Sequence, residues 1–338
     1  MEGDGSPKSP NMKVQKTGSS TQLASLKEMT VVVADTGDYE KIKQFKPQDA
    51  TTNPTLLFQA AQLPEYAILV ESVIKNSRES GLGGDALVED ICDRLAVQFG
   101  VEILKIIPGR VSTEVDACLS FDTARSIEKA KKYIRLYAEQ GVAKDRILVK
   151  LASTWEGVEA CRQLEAEGIH CNMTLIFNFH QAIACAQAGA TLVSPFVGRI
   201  LDWFVKNQPS KDPYTKLTDP GVVSVTRIYN YFKAHKHCTT VMGASFRSKD
   251  EILGLAGIDS LTISPKLLDE LEKSTELLER ILTPGLAHLP EVIVTEQVFR
   301  WAMNEDQMAC DKLSEGIRNF NKDLDSLRAV IQTRVSQA

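Results

Sequence analysis

The chain has 338 residues, 43% of them apolar and 25% charged, with a formal net charge of -5. That balance suits a globular protein with a large core. It gives no basic footprint for nucleic acid or an anionic membrane surface, and no apolar run approaches the roughly 18 residues of a membrane-spanning helix.

Residues 1–22, MEGDGSPKSPNMKVQKTGSSTQ, carry Gly, Ser, Pro and charge without an apolar stretch, so they do not read as a secretory leader. Glu2 and Asp4, with no Arg among these residues, argue against a mitochondrial presequence, and the segment reads as a disordered tail. Eight β-branched or apolar runs then follow: 30–35, 49–53, 109–116, 147–152, 170–177, 192–199, 239–246 and 260–265. Between them lie helix starts with recognisable chemistry. Asn53 precedes Pro54, Ser264 precedes Pro265, and capping-box patterns run from Ser153 to Glu156 and from Ser248 to Glu251. Residues 122–140 form an amphipathic segment with Ile127, Ala130, Ile134 and Tyr137 on one stripe.

Regular alternation of strand and helix means right-handed parallel crossovers, and eight units are the number that closes a barrel. The predicted fold is α/β, a single (β/α)8 TIM barrel with extra C-terminal helices, and an open doubly wound sheet is the alternative. Residues from Thr295 on read as largely helical, with Phe299, Met303 and Leu313 apolar. They are too few for a second domain, so residues 23–338 are expected to form one domain, with the extension packed on the barrel and covering its mouth.

Polar residues recur at the C-terminal ends of the runs: Asp35, Asn53, Glu114, Lys150, Asn172, Thr174, Ser194 and Ser245. In a barrel these ends form the mouth, where active sites are built. Strand ends are also polar because caps and turns follow, which accounts for Asn53 and Ser194. It does not account for Glu114 and Lys150, which sit inside apolar-bounded runs. A lysine in the strand ILVKLA must be paired, snorkel out or give up its proton. An ordinary lysine, with a pKa near 10.4, is neutral in only about one molecule in 2,500 at pH 7, and desolvation raises that fraction. A neutral amine in a dry pocket attacks a carbonyl to form a Schiff base, whose protonated form is an electron sink for C–C cleavage. The competing reading is a salt bridge from Lys150 to Glu114 or Asp35 that only neutralises buried charge. Schiff-base chemistry also needs proton carriers, and the same two carboxylates are available for that work.

Arg199, Ser245 and Arg247, in SPFVGR and GASFRS, are candidates to converge on a phosphate, helped by the helix start at Ser248. His170 opens a strand instead of closing one, and the other histidines lack ligand spacing, so no metal site is expected. The seven cysteines are scattered and odd in number, and read as reduced, mostly buried thiols of a cytosolic chain. GLGG at 81–84 reads as a linker, and KAKK at 129–132 as a solvated helix face.

Several segments together resemble the transaldolase family, in its long eukaryotic-type subgroup: VVADTGD (32–38), QDATTNP (48–54), GRVSTEVD (109–116), ILVKLASTWEG (147–157), CNMTLIFNFHQA (171–182), SPFVGRILDW (194–203), VMGASFR (241–247) and LTISPKLL (261–268). RWAMNEDQMACDKLSEGIRNF (300–320) is similar to that family's C-terminal helix. The resemblance implies a cofactor-free, cytoplasmic, homodimeric barrel enzyme of the pentose phosphate pathway. Such an enzyme moves a dihydroxyacetone unit from sedoheptulose 7-phosphate or fructose 6-phosphate to an aldose phosphate, glyceraldehyde 3-phosphate or erythrose 4-phosphate.

It also implies roles. Lys150 would form the Schiff base, Asp35 would act on the C4 hydroxyl, and Glu114 would shuttle protons through a water held with Thr174. Asn53, Asn172 and Ser194 would hold hydroxyls, Phe196 would shape the pocket, and Arg199, Ser245 and Arg247 would bind phosphate. Cys118 stands where relatives commonly have Arg, and residues 270–295 resemble the family little. Two rivals share the barrel: a fructose 6-phosphate aldolase that releases dihydroxyacetone, and a silent sugar-phosphate-binding protein. The aldolase relatives carry Gln and Tyr where this chain has Glu114 and Phe196.

Overall fold

The structure, a computed structural model, describes residues 20–210, 212–285 and 290–337. The expected tail lies, up to residue 19, outside the described residues. Thr21 caps the first helix, α1 (Gln22–Lys27), and Gln22 is already buried.

Eight strands form the centre: β1 (Val31–Asp35), β2 (Asp49–Thr51), β3 (Val111–Glu114), β4 (Ile147–Ala152), β5 (Cys171–Ile176), β6 (Leu192–Pro195), β7 (Thr240–Gly243) and β8 (Ser260–Ile263). Each pairs in parallel with the next and β8 closes on β1, so the predicted barrel is the observed one. The crossovers are helical. They run through α2 (Tyr39–Phe45), then α3 (Pro54–Ala61), α4 (Ala67–Arg78) and α5 (Gly84–Leu104), then α6 (Thr123–Glu139), α7 (Trp155–Ala166) and α8 (Phe179–Gln187). After β6 come α9 (Val197–Asn207) and α10 (Pro220–Ala234), after β7 α11 (Lys249–Gly254), and after β8 α12 (Pro265–Lys273). The extension consists of α13 (Glu296–Glu305) and α14 (Gln307–Gln337). No helix among the described residues is long and apolar enough to cross a membrane.

Most strands are shorter than the apolar runs that announced them, because their ends turn into caps. The run 192–199 divides: β6 stops at Pro195, and Val197 already belongs to α9. Inside the barrel Val33, Leu148, Leu192 and Met242 pack as a separate apolar layer. Side chains alternate along a strand, so Asp35, Lys150 and Ser194, two residues further on, face the same interior one layer higher. That alternation places Lys150 in the barrel, while Val149 and Leu151 face the helices and join the main core.

Asn53 and Ser248 cap as expected, Ser248 with a complete capping box. Ser153 does not: the cap of α7 is Thr154, whose hydroxyl accepts the Gly157 N–H at 2.9 Å. The buried face of α6 is rotated from the expected stripe, with Ser126, Lys129, Ala130, Tyr133 and Tyr137 inward and Ile127 and Ile134 half-buried. KAKK is therefore not a solvated face. Lys129 lies 2.8 Å from Glu89 and 2.9 Å from Asp93, and Lys132 lies 2.7 Å from Asp93. Asp116, just beyond β3, completes the group and takes Arg328 of α14 at 2.9 Å. The sequence of α6 alone does not show these acids, because they come from α5 and the β3 loop. Of the seven cysteines four are buried, while Cys118 and Cys238 are exposed.

Candidate active site

Each site residue expected from the sequence stands at the C-terminal end of the barrel. Asp35 ends β1, Asn53 caps α3, Glu114 ends β3, Lys150 is in β4, Asn172 and Thr174 are in β5, and Ser194 is in β6. Asp35, Asn53, Lys150, Asn172, Ser194, Phe196, Arg199 and Ser245 line one narrow cavity, together with Phe320 of α14.

Lys150 pairs in register with Glu114 on one side and Asn172 on the other. Its Nζ lies 2.8 Å from Glu114 Oε2 and donates to the Thr52 carbonyl at 3.3 Å. Lys150 is 4% exposed and Glu114 7%, so water reaches neither freely. Burial raises the Glu114 carboxyl above the usual carboxylate range, opposed by the Lys150 charge and by Arg199. Asp35 is raised for the same reason, opposed by Lys150 and by the hydrogen bond from Thr51. Two carboxylates that hold protons unusually well thus face one amine. That is a set able to form an imine and to move protons around it.

A hydroxyl and amide network fixes the floor. Asn172 Nδ2 donates to Ser112 Oγ at 3.0 Å, and Ser194 Oγ donates to Asn172 Oδ1 at 2.7 Å. Thr51 donates to Asp35 at 2.9 Å, so Thr262, 2.7 Å from Thr51, is the donor of their shared bond. Asn53 uses Oδ1 to cap the Leu56 N–H, which leaves its amide nitrogen for a ligand. Thr174 is fully buried and its hydroxyl has no protein partner.

The end of the cavity near Arg199 and Ser245 is built by a close approach. A Cβ on Gly198 would lie 2.6 Å from the Ser245 carbonyl and 2.6 Å from Arg247 Cγ, so only glycine lets the β7 loop lie against α9. Ser245 has φ 59°, the left-handed region that a non-glycine residue seldom occupies, and such strain collects at functional sites. Arg199 is half-buried, with its guanidinium 4.9 Å from the Phe196 ring and 5.4 Å from the Phe320 ring. Burial and the neighbouring Arg247 charge lower its pKa, opposed by the carboxylates of Glu315, Glu114 and Asp35. Arg247 is exposed on the rim and held by Asp202 at 2.7 Å, outside the cavity lining.

The helix start at Ser248 does not serve as expected. Glu251 accepts the Arg247 N–H at 2.5 Å, and Ser248 accepts the Glu251 N–H, so the cap is already satisfied from within the protein. Burial raises Glu251 to about 7. A carboxyl that binds its proton more tightly folded than unfolded adds stability at low pH and loses it as pH rises through the folded value. Between about pH 4.5 and 7 this amounts to on the order of 3 kcal/mol. Glu251→Gln, which keeps an acceptor without a titrating group, is expected to flatten this decline. Thermal unfolding midpoints of both proteins from pH 5 to 8 check it, and parallel curves would refute it.

A model of the family described as Transaldolase/Fructose-6-phosphate aldolase matches residues 32–331. The chain belongs to that family. A transaldolase of Shewanella frigidimarina is 55% identical over 316 residues, 93% of this chain and 99% of its own. Transaldolases of Shewanella denitrificans, at 55%, and a Marinomonas species, at 56%, are similar over 315 residues, again 93% of this chain and 99% of theirs.

For a member of the transaldolase/fructose-6-phosphate aldolase family, the residues that sequence reading missed are supports and a cover. Thr51, Ser112 and Thr262 orient site residues, and all three stand in motifs already singled out, at QDATTNP, GRVSTEVD and LTISPKLL. Phe320 comes from a helix far along the chain, and only the fold brings it over Lys150, 5.6 Å from Nζ. Two other groupings lie away from the mouth. A cavity of about 950 Å3 opens where the strands begin, but Lys43 on its wall is paired with Glu40, Lys27 with the Phe45 carbonyl, and Asp259 with Lys233. Cys161, Glu165 and Cys171 come within 4.8 Å of one another, where Glu165 accepts the backbone N–H groups of Cys171 and Thr191.

Proposed function

We propose that this chain is a transaldolase that carries a dihydroxyacetone unit on Lys150 from sedoheptulose 7-phosphate or fructose 6-phosphate to an aldose phosphate. The observation that carries the reading is the Lys150 amine beside Glu114, with Asp35 across the same buried mouth. The Lys150 amine attacks the C2 carbonyl. Glu114 passes protons to the carbinolamine oxygen, through a water also held by Thr174, and water leaves to give the iminium. Asp35 takes the proton of the C4 hydroxyl, the C3–C4 bond breaks, and its electron pair moves into the iminium as an enamine. The aldose phosphate departs. An acceptor aldehyde then takes its place and the steps run in reverse.

Asn53, Asn172 and Ser194 hold the hydroxyls of the three-carbon unit, and Phe196, braced edge-on by Phe177 at 5.7 Å, limits the cavity. Arg199, Ser245 and Arg247 take the phosphate. No cofactor or metal enters this scheme. Residues 23–338 act as one domain. The same reading takes the chain as a homodimer, and seven free cysteines suit the reducing cytoplasm.

Fructose 6-phosphate offered with and without erythrose 4-phosphate tests the reading. Release of glyceraldehyde 3-phosphate is expected to depend on the acceptor. Equal sustained release without acceptor would make the protein an aldolase, and no release in either tube would make it a binding protein.

A further inference from the structure

α14 has 31 residues, about 46 Å at 1.5 Å per residue, enough to cross a barrel mouth. It is tied down from end to end. Asp306, just before its first residue, accepts from Asn178 after β5 at 2.8 Å, and Asp311 accepts from Trp203 Nε1 of α9 at 2.8 Å. Asp323 accepts from Thr55 of α3, and Arg328 donates to Asp116 beyond β3 at 2.9 Å. The four ties reach the connections that follow β5, β6, β2 and β3, and Phe320 lies between the second and third.

Local fit points the same way. A Cβ on Gly316 would stand 2.7 Å from Leu175 Cδ2, so the helix approaches β5 closely only because residue 316 is glycine. Leu175 itself has φ 54° where the β5–β6 register shifts, a strain borne against α14. Phe320 is 2% exposed, and its ring faces both the Lys150 amine and the Arg199 guanidinium. Around Ser245 and Arg247, in contrast, the mouth is half-buried to exposed.

We infer that Phe320 is a positioning residue that seals the Lys150 imine from water, so that the carried three-carbon unit waits for an acceptor instead of being hydrolysed. The inference rests on the transferase reading and goes beyond it by assigning transfer over hydrolysis to α14. The suppressed side reaction is balanced and needs only solvent water. The enamine carbon takes a proton to regenerate the iminium, water adds at C2, and the C2–N bond breaks. Free dihydroxyacetone leaves and the Lys150 amine is restored. An aromatic face over the nitrogen excludes the attacking water and favours the cationic imine.

Glyceraldehyde 3-phosphate release from fructose 6-phosphate, with and without erythrose 4-phosphate, is measured for wild type, Phe320→Ala and Phe320→Leu. The ratio of acceptor-independent to acceptor-dependent release is expected to rise about tenfold or more in Phe320→Ala and less in Phe320→Leu. Asp323→Ala, which loosens a tie without touching the cavity, is expected to raise the ratio too, so a misfolded Phe320→Ala would not remove the test. A merely structural residue would lower both rates together. Unchanged ratios in the folded variants would overturn the inference, whereas sustained release by wild type that is equal with and without acceptor would overturn the transferase reading separately.

Discussion

Lys150→Met is expected to abolish turnover, with a loss of at least on the order of 10^4-fold, and to leave a folded protein. The first half follows from the absence of a second amine in the cavity lining, where Lys150 is the only lysine among the described residues. Without it no imine forms, and the C3–C4 bond has no electron sink. The second half follows from the charge balance. Removing Lys150 removes the charge that pulls Glu114 down, so burial drives that carboxyl further up and it takes a proton. A neutral acid then faces a methionine of similar length, and no buried charge is left unpaired. Borohydride with fructose 6-phosphate, followed by peptide mass analysis, is expected to label Lys150 in wild type and nothing in Lys150→Met. A folded Lys150→Met that still becomes labelled would remove Lys150 from the mechanism.

The barrel was legible because eight apolar runs alternate with helix starts, and a closed parallel sheet of eight strands needs no long-range sequence signal beyond that alternation. The site was legible where one strand carries an intrinsic contradiction. Lys150 within ILVKLA is such a case, and the register Glu114, Lys150, Asn172 turns three separate oddities into one row. What stayed hidden was whatever depends on a partner distant in sequence. The acids that bury Lys129 lie on α5 and beyond β3, roughly a helix and a strand away. The capping box from Ser248 to Glu251 is a different case: it was legible in the sequence, and the helix start looked open to phosphate only because the donors that the box satisfies were left out of account. Phe320 is one apolar position among many in α14, and nothing in its neighbours indicates that its ring will stand over a strand-four lysine.

Glu114→Gln is expected to lower kcat by about 10^2- to 10^3-fold while KM stays within a few-fold. The salt bridge to Lys150 means that this variant also leaves a buried ammonium unpaired, at a cost of about 3–5 kcal/mol of stability. Lower thermal stability therefore accompanies both a proton-shuttling and a purely structural Glu114, and it separates nothing. The time course of imine formation does separate them. A shuttle speeds carbinolamine dehydration without changing its equilibrium, so borohydride trapping of Glu114→Gln should approach the wild-type plateau, only slowly. The pH profile gives a second reading. Burial holds the Glu114 carboxyl above the usual range, and its protonation sets an acid limb in wild-type kcat that the amide of the Glu114→Gln variant cannot supply. If trapping instead falls in extent as much as in rate, and the acid limb is unchanged, Glu114 only neutralises Lys150, and the proton carrier for dehydration must be Asp35, the half-buried carboxylate that lines the cavity beside Lys150.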